Sequence, residues 1–156
     1  MEVSGFIMLD SLLTLIKFQK PCGQLLKKLS EEKLKNNMIV YRTFRFHAAR
    51  FLPNLHDKHI CKKIHGHTFN LTVYISGPIK NPEGFVIDFF DIDVVLNKNI
   101  LPLIDHKLLN DVEGLNNPTS EHLIKWIWNN IVNEFSGLRK LQLSEDHGTG
   151  IIYKGE

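Results

Sequence analysis

The stretch HGHTFNLTVYIS, residues His65–Ser76, decides the fold class of this chain. Apolar and polar side chains alternate along it, and a period of two residues is typical of a β-strand with one buried face. The odd-numbered positions form the apolar face, and they include both histidines of His65-Gly66-His67. We therefore predict a strand over residues 65–76 that carries two imidazoles on one face.

Four further segments have the character of strands. Aromatic and branched residues or alternating polarity predict strands over Val40–Phe51, Phe85–Ile87, Leu138–Ser144 and Gly150–Lys154.

Two segments between these strands have the character of helices. Asp88 is the predicted N-cap of a helix that reaches about Leu103. Thr119-Ser120-Glu121 opens a second helix, in which apolar residues recur at helical spacing until Gly137 ends it. The order of elements predicts an α+β fold in which helices cover an antiparallel sheet.

The N-terminal segment differs in character from the rest of the chain. Residues 1–37 are expected to form a helical extension outside the fold, interrupted by Pro21 and Gly23. Residues 38–156 are expected to form the folded domain, because the regular patterns begin after Met38.

The amino-acid composition limits the kinds of molecule that this protein is expected to bind. The 156 residues include 19 Lys and Arg against 17 Asp and Glu, and this balance argues against a nucleic-acid coat or a membrane-surface protein. The longest apolar runs fall far short of the roughly 18 residues of a membrane span. Only two cysteines are present, which favours a reducing cytoplasm over secretion. We expect a cytoplasmic protein with a small-molecule ligand and neither nucleic acid nor membrane as partner.

The densest cluster of chemically capable side chains surrounds His65 and His67. Because both imidazoles share one strand face about 7 Å apart, both can reach one metal ion. Cys61 lies four residues upstream of His65, among His59, Lys62 and Lys63. Nearby positive charge favours its thiolate, which predicts a nucleophile or general base, although a buried inert thiol is an equally open alternative.

Two carboxylates are further candidates. Asp105 precedes His106 at a predicted helix end, and a carboxylate can orient a histidine and stabilise its charged form. A water-exposed loop pair is the alternative. Glu145 ends a predicted strand, where an exposed carboxylate often has no function.

The combined pattern resembles the 6-pyruvoyl-tetrahydropterin synthase superfamily, and within it the bacterial 6-carboxy-5,6,7,8-tetrahydropterin synthases of queuosine biosynthesis. Cys61 and His65 are separated by three residues, as in the bacterial branch. The resemblance covers residues 39–156 and rests on the order and spacing of FHAARFLP (Phe46–Pro53), His59-Ile60-Cys61, His65-Gly66-His67, GFVIDF (Gly84–Phe89), LIDHKLLN (Leu103–Asn110), NPTSE (Asn117–Glu121) and YKGE (Tyr153–Glu156).

The resemblance implies the tunnelling fold, a four-stranded antiparallel sheet with two helices on one face. It implies homo-oligomers, trimers that stack into hexamers, with active sites at subunit interfaces. The implied substrate is 7,8-dihydroneopterin triphosphate, and the implied products are 6-carboxytetrahydropterin, acetaldehyde and triphosphate. A 6-pyruvoyl-tetrahydropterin product is the enzymatic alternative.

The resemblance also implies roles for the candidate residues. His65 and His67 would ligate one Zn²⁺ per subunit, which would act as a Lewis acid on the substrate. Cys61 would accept a proton, and Asp105 with His106 would form a proton relay. The carboxylate of Glu145 would anchor the pterin by two N–H bonds. The pterin pocket would be lined by Thr119, Ser120 and Glu121.

One position, residue 50, departs from the family pattern, and strand parity predicts that it points toward His65-Gly66-His67. The family has its third zinc-ligating histidine where this chain has Arg50, and a guanidinium has no lone pair to donate to a metal. His47, re-aimed by a bulge, or a loop histidine, His56 or His59, would be a replacement ligand. A two-histidine site with weak or absent zinc, or an error in the sequence, would equally account for the arginine. The same departure raises the alternative of a pterin-binding paralogue without an intact zinc site.

Overall fold

The computed structural model describes residues 37–146 and 148–156 of the chain. The helical extension expected over residues 1–37 lies, apart from Asn37, outside the described residues. Residues Met38–Glu156 form one compact unit. No helix among the described residues has both the length and the apolar character that crossing a membrane requires.

Five strands and three α-helices make up the described part of the chain. In chain order they are β1 (Asn37–Arg50), β2 (His65–Pro78), α1 (Phe89–Asn99), α2 (Leu101–Ile104), β3 (Lys107–Leu108), α3 (Ser120–Ile131), β4 (Leu138–Glu145) and β5 (Gly150–Tyr153). Two short 3-10 turns, Ile60–Lys62 and Leu109–Asp111, lie in the loops. The predicted α+β class is confirmed.

The strands form one sheet in the order β3-β1-β2-β4-β5. The pairs β2–β4 and β4–β5 are antiparallel, whereas β3 runs parallel to β1. The four-stranded antiparallel sheet expected from the resemblance is thus a five-stranded mixed sheet. The reason lies in the chain after α2, where the backbone N–H of His106 donates to the carbonyl of His47 at 2.6 Å and starts a two-residue ladder on β1.

The core lies between one face of the sheet and helices α1 and α3. Alternate residues of β1 and β2 are buried, and the rings of Phe46 and Phe69 stack at 5.0 Å. From α3, an apolar stripe packs against them, comprising Leu123, Ile124, Ile127, Trp128 and Ile131. Beyond these apolar contacts, the ends of β1, β2 and β4 carry polar side chains on the same face of the sheet.

One predicted strand and both predicted helices differ from the structure. Residues 85–87 form bends and no strand. The helix predicted from residue 88 to about residue 103 breaks at Ile100, because Pro102 has no N–H to donate and its ring clashes with the preceding helical turn. Helix α3 ends at Ile131, well before Gly137. Gly137 instead permits close approach to β2, since a Cβ there would lie 2.3 Å from the carbonyl oxygen of Ser76.

Candidate active site

Strand parity brings Arg50 and the histidines of β2 to the same face of the sheet. Arg50 ends β1, and only 6% of its surface is exposed. Its Nη2 lies 3.3 Å from Nε2 of His67, and the rings of His65 and His67 are 4.9 Å apart. The guanidinium also lies over the Phe69 ring, 5.4 Å from its centroid. The prediction that residue 50 points toward the histidine pair is confirmed.

Glu145, the last residue of β4, is contacted by three side chains. Nη2 of Arg50 and Oγ of Ser120 each donate to Oε1 at 2.7 Å, and Nδ1 of His67 lies 3.2 Å from Oε2. Burial by itself would raise the pKa of Glu145, but the Ser120 hydrogen bond and the Arg50 charge outweigh it and hold the pKa below its ordinary value. The carboxylate is therefore ionised at neutral pH and paired with a buried cation.

A pocket of about 390 Å³ opens beside this ion pair, and we call it the anchor pocket. Its polar lining comes from Arg50, Glu145, Thr149 and the start of α3, residues 119–121. Thr119 is the N-cap of α3, so its hydroxyl accepts the backbone N–H of His122. The structure thus brings together all four residues that the resemblance implies for pterin binding.

The donor groups near Arg50 do not fit a zinc ion with three protein ligands. Nδ1 of His65 lies 2.7 Å from the carbonyl oxygen of Lys63, so Nδ1 carries the proton and the buried Nε2, which has no hydrogen-bond partner, carries a lone pair. Nε2 of His67 faces a guanidinium, which only donates. The third position is occupied by a permanent cation, Arg50. The zinc ion therefore stays a prediction.

The alternative ligands lie elsewhere. His47 is exposed on the opposite face of β1, with Nδ1 3.0 Å from Oγ1 of Thr68. His56 and His59 stack edge-to-face with each other at 5.6 Å. In the described part of the chain, no three His, Cys, Asp or Glu side chains are grouped so as to hold a metal ion.

Asp105 and His106 lie beside His47, on the edge formed by β1 and β3. The carboxylate of Asp105 accepts the backbone N–H of His47 at 2.9 Å and lies 2.9 Å from Nδ1 of His106. Burial alone would raise the pKa of Asp105, but the hydrogen bonds with His47 and His106 lower it overall. His106 has a φ of 56°, a left-handed conformation that is uncommon outside glycine.

An open cleft of about 740 Å³ extends from His67 to the β3 edge of the sheet. His67 lines it from β2, and His47 and His106 line it from β1 and the β3 edge. The His106 side chain is 75% exposed, so its Nε2 is accessible from this cleft. The geometry suits a histidine that exchanges protons while a carboxylate fixes its orientation.

Cys61 lies in the loop that follows β1. It lies in the 3-10 turn Ile60–Lys62, where Nδ1 of His59 accepts its backbone N–H at 3.1 Å. Its carbonyl accepts the N–H of Leu52 at 2.8 Å, which ties the loop to the end of β1. The thiol is half-buried and free, and Cys61 is absent from the described residues that line the cleft and the anchor pocket. Its catalytic role stays a prediction.

Sequence reasoning missed the ion pair between Arg50 and Glu145. These residues are 95 positions apart, and no local pattern links them. It also missed the contact between His47 and the Asp105-His106 pair. The one sequence signal for this contact was the strand alternation, which places His47 on the exposed face of β1.

The chain is similar to known proteins in sequence and in fold. The family model described as 6-pyruvoyl tetrahydropterin synthase matches residues 39–156. A Synechocystis sp. protein named 6-carboxy-5,6,7,8-tetrahydropterin synthase is 38% identical over 94 residues, 58% of this chain and 71% of that protein. A Pyrococcus furiosus protein named dihydroneopterin monophosphate aldolase is 34% identical over 93 residues, covering 58% of this chain and 77% of that protein.

A solved structure shares the fold. The 6-pyruvoyl tetrahydropterin synthase of Caenorhabditis elegans superposes with a TM-score of 0.70 at 24% identity, over 77% of this chain and 96% of that chain. The tunnelling fold expected from the resemblance is thereby confirmed. Because the family model spans nearly all of the described residues, this chain belongs to the 6-pyruvoyl tetrahydropterin synthase family.

Proposed function

We propose that this chain is a 6-carboxytetrahydropterin synthase, a lyase that acts in queuosine biosynthesis. It would convert 7,8-dihydroneopterin triphosphate and one water, which the atom balance requires, to 6-carboxy-5,6,7,8-tetrahydropterin, acetaldehyde and triphosphate. The observation that carries the proposal is the anchor pocket, where the start of α3 and the ionised Glu145 face one cavity. The name of the Synechocystis sp. relative supports this activity.

Recognition of the pterin would centre on Glu145. Oε1 already accepts hydrogen bonds from Arg50 and Ser120, whereas Oε2 has His67 beside it. A carboxylate offers about four acceptor positions, so the aminopyrimidinone edge is expected to approach on the Oε2 side. Glu121, whose pKa is lowered by its own backbone N–H and by the Thr119 hydroxyl, adds a second negative charge to the pocket wall.

Proton transfer would fall to His106 and Cys61. Asp105 holds Nδ1 of His106, which leaves Nε2 in the cleft to deliver or remove a proton. Cys61, as thiolate, is proposed as the proton acceptor on the other side of the substrate. Among the described residues, Cys61 lines neither the cleft nor the anchor pocket, so the proposal includes a site that a second subunit completes.

A homo-oligomer, trimeric or hexameric, is part of this proposal. Among the described residues, β3 pairs with β1 only at Ala48 and Ala49, so most of the outer edge of β1 has no partner strand. Met38, Ile39 and Tyr41, on that part of β1, expose 54%, 57% and 61% of their surface. An unpaired edge with exposed apolar side chains suits pairing with another copy of the chain. Cytoplasmic location stays a prediction.

A second candidate function is pterin binding without turnover. The observation that favours it is the contact of Arg50 with His67, which replaces a metal ligand by a cation. A 6-pyruvoyl-tetrahydropterin product is a further alternative for an active enzyme.

Turnover of the full chain with 7,8-dihydroneopterin triphosphate, followed by mass spectrometry, tests the proposal. We expect 6-carboxytetrahydropterin and acetaldehyde, formed by the wild type and by an Asp93→Asn control outside the site but not by Glu145→Gln. A 6-pyruvoyl product would reassign the activity. Binding of neopterin, a fluorescent pterin, without any product would establish the second candidate, and absence of both binding and turnover would refute the pterin site.

A further inference from the structure

We infer that the guanidinium of Arg50 stands in for the metal ion of this site, so that the chain binds its pterin without zinc. The inference about zinc depends only on the contacts of Arg50. The inference about the pterin rests on the function proposed above.

Arg50 is fixed in place by contacts in several directions. Nη1 donates to the carbonyl of Pro118 at 3.2 Å and contacts Oγ of Ser120 at 3.1 Å. Nη2 contacts Glu145 at 2.7 Å and His67 at 3.3 Å. With the side chain also buried, rotation away from the histidines would break a buried ion pair. The positive charge therefore cannot move aside at low cost to admit a metal ion.

The contact with His67 takes up the nitrogen that a metal would need. A guanidinium has five donors and no acceptor, so Nε2 of His67 must be the acceptor in this contact. Nδ1 of the same ring then carries the proton and faces Oε2 of Glu145. A zinc ion at Nε2 would have to displace Arg50, and it would also meet like charge at short range.

The other parts of a metal site are still present. The proton on Nδ1 of His65 points to the carbonyl of Lys63, and that of His67 points to Glu145. Hydrogen bonds of this kind orient metal-binding imidazoles. Nε2 of His65 is buried without a hydrogen-bond partner. Only the third ligand is missing, so Arg50→His should complete a three-imidazole site on this face.

The guanidinium also changes what a ligand meets in the anchor pocket. Arg50 and Glu145 line the pocket together, so the pocket wall contains a buried ion pair. The carboxylate suits the N–H edge of a pterin, and the guanidinium, whose four Nη protons already have protein acceptors, acts on the ligand as a nearby positive charge. A fixed positive charge is thus available to the ligand without a metal ion.

Zinc alone, titrated into chelator-treated full chain and followed by calorimetry, tests the first half. We expect the wild type to bind zinc more than about 100-fold more weakly than Arg50→His. Loss of a residue that only orients a metal ligand already costs up to about 100-fold in metal affinity, and the wild type lacks a ligand itself. Arg42→His is the matched control, since Arg42 lies on the same strand and also pairs with a carboxylate, Asp93. It should bind zinc as weakly as the wild type.

One zinc ion per wild-type chain, bound as tightly as in Arg50→His, would overturn the inference. If Arg50→His does not fold, two measurements remain. Arg50→Lys keeps the charge and should stay free of zinc. The neopterin affinity of the wild type should be unchanged by a chelator. In His65→Ala it should change less than about threefold, whereas loss of a residue that merely orients a metal ligand costs about 10-fold or more at a metal site.

A chelator that abolishes neopterin binding would refute the metal-free pocket while leaving the proposed function intact. A wild type that binds neither zinc nor neopterin would refute the proposed function while leaving the inference about zinc intact.

Discussion

Replacing Glu145 by glutamine should destabilise the fold as well as weaken pterin binding. The carboxylate compensates the charge of Arg50, and the two side chains are only 16% and 8% exposed. Glutamine keeps the shape and one acceptor oxygen but removes the negative charge. Arg50 would then be a buried cation whose only remaining partners are neutral groups, among them Ser120 and the carbonyl of Pro118.

The size of the effect follows from the burial of the pair. Removing one partner of a buried ion pair costs about 3–5 kcal/mol. Because Glu145 keeps some contact with solvent and glutamine can still accept a hydrogen bond, we expect the lower end, about 3 kcal/mol. With a urea m-value of about 2 kcal/mol/M, the unfolding midpoint should fall by about 1.5 M.

Urea unfolding of wild type and variant measures this change, and Asp93→Asn is the matched control. Asp93 pairs with Arg42 at 2.8 Å, but the two side chains are 28% and 46% exposed. Loss of such an exposed pair should cost less than about 1 kcal/mol. Equal midpoint shifts in Glu145→Gln and Asp93→Asn would contradict the assignment of a buried pair.

A double variant separates two costs: the loss of the attraction between the two charges, and the burial of one charge without its partner. Arg50→Gln combined with Glu145→Gln removes both charges, so it should be at least about 1 kcal/mol more stable than the sum of the single effects predicts. Simple additivity would show that the two charges are not coupled.

The difference in unfolding free energy between wild type and Glu145→Gln should depend on pH in a direction that the pKa of Glu145 determines. The folded protein lowers the pKa of Glu145, so its charge stabilises the fold above the ordinary pKa of about 4.3. This stabilisation is lost as the pH falls through the lowered folded-state pKa. The stability difference between wild type and Glu145→Gln should be constant above about pH 5 and should narrow in more acidic solution. A difference that widens on acidification would refute the argument.

Three further changes test other parts of the structure. Cys61→Ala should abolish turnover while neopterin affinity and the unfolding midpoint stay unchanged, and a near wild-type rate would exclude Cys61 as the proton acceptor. Asp105→Asn should lower turnover by about 10²-fold or more, the usual contribution of an acid–base group, and an unchanged rate would remove the pair with His106 from the mechanism. Gly137→Ala should cost more than about 2 kcal/mol in urea unfolding, because its Cβ would lie 2.3 Å from the Ser76 carbonyl oxygen, and a smaller loss would show that the backbone there can adjust.

Local sequence patterns were sufficient for most of the fold. Alternation placed β2 and β4 within one or two residues of their bounds, and the caps Asp88 and Thr119 mark the starts of α1 and α3 as expected. The strand predicted at residues 85–87 is wrong because three apolar residues form a strand only where a neighbouring strand can pair with them. The break at Ile100 was available in the sequence, since Pro102 is a known obstacle to a helix.

The candidate site could be predicted from the sequence only in part. Strand parity predicted that Arg50 faces the histidine pair, since a period of two residues depends only on the backbone. The family pattern predicted the grouping of the residues at the start of α3 with Glu145. It predicted no partner for Arg50, because side chains 95 positions apart meet only through the packing of β1, β4 and α3.

The sequence by itself determined the alternating faces of the strands, the starts of the helices and the identity of a cation at position 50, all of which depend on neighbours along the chain. Only the tertiary structure decided that this cation is neutralised by Glu145, that His67 faces a donor, and that His47 lies with Asp105 and His106. The physical reason is that a charge takes its effect from the groups within a few ångströms of it, and those groups come from distant segments that packing alone brings together.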